Sequence, residues 1–128
     1  MNLEKLYQEM GGDMADAVRR LGSIAAVERF LRMFAGDDTF AMLEAAMSAG
    51  DDQRAFRAAH TLKGLAANLG LVQLWQAASA LTEALRGSDM QRASALYPET
   101  AAAYREACAA IGELDTDAYK TRIFAKKT

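Results

Sequence analysis

Apolar residues recur along this chain at spacings of three and four, in short blocks that each end near a glycine. At about 100° per residue, such spacing gathers one face of a helix. Leu3, Leu6, Tyr7 and Met10 mark a first short helix, ended by Gly11-Gly12. Asp13 is placed to cap a second, carried by Met14, Ala17, Val18 and Leu21. Val27, Phe30, Leu31 and Phe34 make a third stripe up to Gly36. There the phase resets: Asp37 or Asp38 caps a further segment on Phe40, Leu43 and Met47, which closes at Gly50. A break or sharp bend is therefore expected around Gly36.

Asp51 or Asp52 starts the next helix, which ends at Gly70 and carries Ala58, Leu62, Leu65 and Leu69 on one stripe. Leu71, Leu74, Trp75, Ala78, Leu81 and Leu85 are the expected buried face of its successor, stopped by Gly87. After Asp89 comes a last long segment. Pro98 interrupts it, yet Tyr97, Ala101, Tyr104, Cys108 and Ile111 keep helical spacing past that point. No strand-like alternation occurs, and the connections are short, which favours antiparallel neighbours. The expected fold is all-α: an up-and-down antiparallel four-helix bundle with additional short N-terminal helices. Residues 1–114 form its single domain, with 1–22 as capping helices. The piece 115–128, carrying Lys120, Arg122, Lys126 and Lys127, reads as a helix end or tail.

Composition narrows the function classes. With 128 residues the chain can bury one adequate core and is too short for a kinase with its own nucleotide-binding domain. Hydrophobic residues at 52% and a single proline suit helices throughout. No run of about 18 apolar residues marks a membrane span. Met1-Asn2-Leu3-Glu4-Lys5 lacks the basic and apolar regions of a signal peptide, so the expected compartment is the cytoplasm. Cys108, the one cysteine, falls on an apolar stripe and reads as a small core residue. A net charge of −2 with a pI near 5.4 argues against nucleic acid as a partner.

The chemistry gathers around the one histidine, His60. On the wheel it lies about 160° from Leu62 and about 140° from Leu65, facing away from the apolar stripe. With no second histidine to share a metal, it is set to meet something arriving from solvent. Lys63 and Gly64 follow by three and four residues and are its neighbours on the helix surface. A glycine inside a helix costs roughly 1 kcal/mol against alanine, so it asks for a reason. Room for a phosphoryl group and for an approaching partner is one, with the Lys63 ammonium to balance the charge. A neutral imidazole is a competent nucleophile near neutral pH, its ordinary pKa being about 6.5. Taken singly, each residue has a plainer account: a surface histidine, a solvated lysine, a glycine for close packing. Together, at these offsets, they point to phosphoryl chemistry.

His60-x-Leu62-Lys63-Gly64, with Gly70 ten residues after the histidine, resembles the signature of histidine-containing phosphotransfer (HPt) domains. The run Ala66-Ala67-Asn68-Leu69-Gly70-Leu71 is similar to that of small, free-standing bacterial members, and the likeness extends from about Leu21 to Leu114. In resembling domains the region around Gly36 can be one long helix. The resemblance implies a phosphorelay carrier: His60 takes a phosphoryl group from a receiver-domain aspartate, or from a kinase, and passes it to the receiver domain of a response regulator. Partners would be receiver domains of response regulators or of hybrid sensor histidine kinases. The magnesium ion and the catalytic aspartate would belong to the partner, and this chain would need no cofactor and no metal of its own. Family members often place a glutamine twenty-two residues after the histidine; here that position is Thr82.

The wheel also outlines a docking face. Gln53, Arg57, His60, Lys63, Gly64 and Ala67 share the outer side of the histidine helix, and Gln76, Ser79, Thr82 and Arg86 of the next helix are expected to border it. No glycine-rich phosphate loop and no convergent acid–base set accompanies them, so neither autonomous kinase activity nor another independent enzyme is expected. The alternative reading is a helical interaction module that binds a receiver domain without phosphorylation, as scaffold or antagonist. Retention of both His60 and Lys63 favours the carrier. A monomer is expected.

Overall fold

The computed structural model describes residues 1–115. Seven helices follow one another there: α1 (Leu3–Met10), α2 (Met14–Leu21), α3 (Ile24–Ala35), α4 (Thr39–Ala49), α5 (Asp52–Asn68), α6 (Val72–Arg86) and α7 (Met90–Gly112), with no strand among the described residues. The polar residue before a helix does the capping in most cases. Asn2, Asp13, Ser23, Asp51 and Asp89 each accept a hydrogen bond from the backbone N–H three residues on, satisfying a donor the helix leaves open.

α4, α5, α6 and α7 pack in sequence order as the four-helix bundle. Short turns between them reverse the chain each time. Leu43, Leu62, Leu74 and Leu81 fill its centre together with many alanines, among them Ala55, Ala59, Ala66 and Ala78. Small side chains let α5 sit close to both neighbours. The bundle closes through aromatic contacts at α7: Phe40 stacks on Tyr104 with ring centroids 4.2 Å apart, and Phe34 of α3 meets the same ring edge-on at 5.6 Å. Burial pushes the Tyr104 hydroxyl up to about 12 and raises the half-buried Cys108 thiol beside it, so both stay protonated at neutral pH.

The expected break at Gly36 is present, since α3 ends at Ala35 and α4 begins at Thr39. Of the two candidate caps, Asp38 makes no side-chain bond, while Asp37 accepts one from Thr39 Oγ1 at 2.7 Å. Three expectations need correction. Pro98 does not interrupt α7, which runs through it. Ser94, whose carbonyl loses its donor to the proline ring, and Pro98 itself are both exposed, so water can serve that carbonyl. Trp75 is 40% exposed rather than buried. The stripe of α6 is widened on its other flank by Ala77 and Ala84, which leaves the indole at the edge. Leu65 is only half-buried, and Ala55, Ala59 and Ala66 supply the buried side of α5 in its place. The basic residues expected in a tail, Lys120, Arg122, Lys126 and Lys127, lie outside the described residues.

α1 and α2 seat on the bundle at the α5–α6 turn. Leu3, Leu6 and Tyr7 are buried there, Tyr7 donates its hydroxyl to Leu69 O at 2.6 Å, and Asp13 N–H donates to Gly70 O at 2.8 Å. Burial holds the Tyr7 hydroxyl protonated far above its ordinary range.

Candidate functional site

α5 is 17 residues long, begins at its Asp51 cap and buries Ala55, Ala58, Ala59, Leu62 and Ala66. His60 is on the opposite side and exposed; Gln53 and Arg57 are exposed with it, and Lys63 and Ala67 are half-buried. A Cβ added at Gly64 would meet nothing within 4 Å. The glycine therefore has no packing duty in this fold, and the plainest alternative for it falls away. What it leaves is open space one turn from the imidazole.

On α6 the four bordering residues have different fates. Antiparallel pairing about the Leu69–Leu71 turn sets positions 79–82 level with His60. Gln76 is exposed, and Ser79 is half-buried with its hydroxyl donating to Trp75 O at 2.6 Å. Thr82 does not border the face at all. It is 0% exposed, and its hydroxyl donates to Ala78 O at 2.6 Å within its own helix. Thr82 follows Leu71 by eleven residues, about three turns, and so falls within about 20° of it at the edge of the stripe, where packing against the neighbouring helices covers it. The short side chain at this position sends no hydrogen bond to the imidazole.

Arg86 is exposed and reaches the neighbourhood of His60 by a route that patterning did not indicate. Its guanidinium carbon lies 5.0 Å from the centroid of the Phe56 ring, and Phe56 in turn lies beside His60, with centroids 5.9 Å apart and planes 19° apart. Spacing alone leaves Phe56 out of the site, since an aromatic side chain at this position fits neither the apolar stripe nor the polar outer face. It is in fact half-buried, and its offset of four residues from His60 was the signal that could have found it. A cleft of about 420 Å³ opens beside the pair, lined by Asp52, Gln53, Phe56, Arg57, Leu85 and Arg86, among others. A larger groove of about 690 Å³ runs between α4 and α5 over Met42, Ala45, Ala46, Ala49 and Ala58, and touches this face only at Arg57.

A family model for the Hpt domain matches residues 25–114. The chain belongs to the Hpt family. The matched stretch takes in α4 to α7, nearly all of α3 and the whole outer face of α5, and leaves α1 and α2 outside. Neither curated proteins nor solved structures give a match. Hpt domains act in histidine phosphotransfer within phosphorelay signalling, as carriers rather than kinases, and they interact with receiver domains of two-component systems. No helix among the described residues is long and apolar enough to cross a membrane.

The open space at Gly64 leads to a test within this Hpt domain. Gly64→Gln is expected to melt no lower than the parent, because glutamine is the better helix former by roughly 0.5–1 kcal/mol and its Cβ enters open space. Phosphoryl transfer should nevertheless fail, since the new side chain occupies the space beside the imidazole. Lys63→Ala should keep the fold as well, and slow transfer less severely. Thermal melts paired with transfer assays read both effects. A Gly64→Gln protein that unfolds would assign the glycine to packing.

Proposed function

We propose that His60 is the phosphorylated residue, accepting a phosphoryl group from a receiver-domain aspartate and returning it to the aspartate of another receiver. In the accepting step a ring nitrogen attacks phosphorus with its lone pair. The N–P bond forms as the P–O bond to the aspartyl carboxylate breaks, and that carboxylate leaves with the electron pair. The other ring nitrogen keeps its proton. The return step is the reverse, on a different carboxylate. Lys63 supplies a mobile positive charge near the phosphoryl oxygens and has no covalent duty. Gly64 supplies clearance for the group and for the docked receiver, and Gln53, Arg57, Ala67, Gln76 and Ser79 edge the docking surface. The magnesium ion comes with the receiver, so positioning is the main contribution of this chain.

The observation that carries this reading is that the chain's one histidine stands exposed on α5 beside a glycine with no packing role. Its test is incubation with phosphorylated receiver domains from the same genome, following the label onto this protein and off again. Receiver binding with no transfer of label would favour the interaction module instead. With ATP and magnesium alone, and kinases excluded, the purified protein is expected to acquire no label. Label from ATP would overturn the carrier reading in favour of a kinase.

A further inference from the structure

An exposed histidine side chain ordinarily samples several rotamers, and only some present a ring nitrogen to a partner in line for transfer. Family members that place a glutamine at the position of Thr82 have a long amide there; this chain has a buried hydroxyl engaged with Ala78 O. Something else has to orient the ring if transfer is to be efficient.

The side chain in place is Phe56. It precedes His60 by one turn on the same face, within about 40° on the wheel. The ring separation of 5.9 Å and the interplanar angle of 19° fall in the range of favourable offset aromatic pairs. Phe56 is itself held from two directions. Its inner side packs against the hydrophobic core, and the Arg86 guanidinium lies over its ring at 5.0 Å, arriving from α6. Arg86 is in turn steadied by Glu83, with Nε to Oε1 at 3.4 Å. An exposed ion pair of this kind is weak alone, and so is an exposed cation–π contact. Acting on one guanidinium, they bias it to the Phe56 face.

We propose that Phe56, backed by Arg86 of α6, is a positioning residue that orients the His60 imidazole for phosphoryl transfer, a part for which this chain has no glutamine. The proposal rests on the carrier role of His60. Phe56 touches neither phosphate nor receiver aspartate in this scheme; it acts by narrowing the rotamers of the nucleophile before the partner arrives.

Three variants and two readouts test it. Phe56→Leu keeps an apolar side chain against the core and removes the aromatic face; Phe56→Tyr restores the face; Arg86→Gln removes the cation from a solvent-exposed position. The first readout is NMR of the His60 ring protons in the unphosphorylated protein, which report the ring current of a neighbouring aromatic. The second is transfer from a phosphorylated receiver at increasing receiver concentration. Phe56→Leu should shift the His60 ring signals and lower the maximal transfer rate about three- to tenfold, with the half-saturating receiver concentration unchanged. Phe56→Tyr should return both to near the parent, and Arg86→Gln should move both in the direction of Phe56→Leu by a smaller amount. Rates that stay at parental values in Phe56→Leu overturn the proposal whether or not the ring signals shift, as does an equal loss of rate in Phe56→Leu and Phe56→Tyr. Should Phe56→Leu fail to fold, Arg86→Gln decides by the same signals: a shift with a slower maximal rate supports the proposal, and parental values overturn it. The NMR readout needs no phosphate. A parent that accepts no label therefore overturns the carrier reading, while signals that shift in Phe56→Leu and return in Phe56→Tyr still support the seating of Phe56 against the His60 ring.

Discussion

His60→Gln is expected to abolish phosphoryl acceptance and to leave the bundle intact. Glutamine is a good helix former and can hydrogen-bond with solvent, but it has no nucleophilic ring nitrogen. The position is exposed on the middle of α5, far from either cap, so the change in stability should stay within about 0.5 kcal/mol. The chain holds no second histidine to take over. Label from a phosphorylated receiver should therefore fall to background in a protein that melts like the parent. On the parent the adduct should be lost in acid and survive base, as a phosphoramidate does. Full labelling of His60→Gln under the same conditions would move the acceptor to another residue.

Gly70→Ala should destabilise the domain strongly. Gly70 has φ +65, in the left-handed region, where a Cβ costs roughly 1–2 kcal/mol. The added Cβ would also collide with the carbonyl oxygen of Asp13, and Asp13 cannot withdraw without losing its N–H bond to Gly70 O. The strain and the displaced contact together predict a loss of about 2–4 kcal/mol, a fall in melting temperature on the order of 10 °C or more for a domain of this size. Because Tyr7 donates to Leu69 next door, α1 and α2 should loosen first, with faster amide exchange at the Asp13 N–H. An unchanged melting temperature would mean that the turn has room to relax. The glycine ten residues after the histidine thus has a structural account that owes nothing to phosphate, whereas Gly64 has none.

The two glycines mark where spacing along the chain ceases to be informative. Both stood in one motif, and nothing in the spacing separated them; one carries a positive φ against another segment's carbonyl, the other faces open space. Thr82 and Trp75 show a related limit. Patterning places the tryptophan inside and the threonine outside, and the fold reverses both: the two lie within about 20° of each other at the edge of the stripe, where the neighbouring helices decide which side chain is covered. A proline inside a helix costs a hydrogen bond, which makes Pro98 an expected interruption; exposure of the residues concerned makes that loss tolerable.

The helices, the break at Gly36 and the outward face of His60 were determined by the sequence itself. Each depends on a period of 3.6 residues and on caps within a few positions, which are local properties of the chain. Tertiary structure alone decided that α1 and α2 close on the Leu69–Gly70 turn, that Thr82 is buried on α6, and that Arg86 reaches across to Phe56 beside His60. Those are meetings between faces of different helices. Their outcome is set by how alanine-rich surfaces pack and which neighbour each edge residue finds, and no spacing along a single helix contains that information.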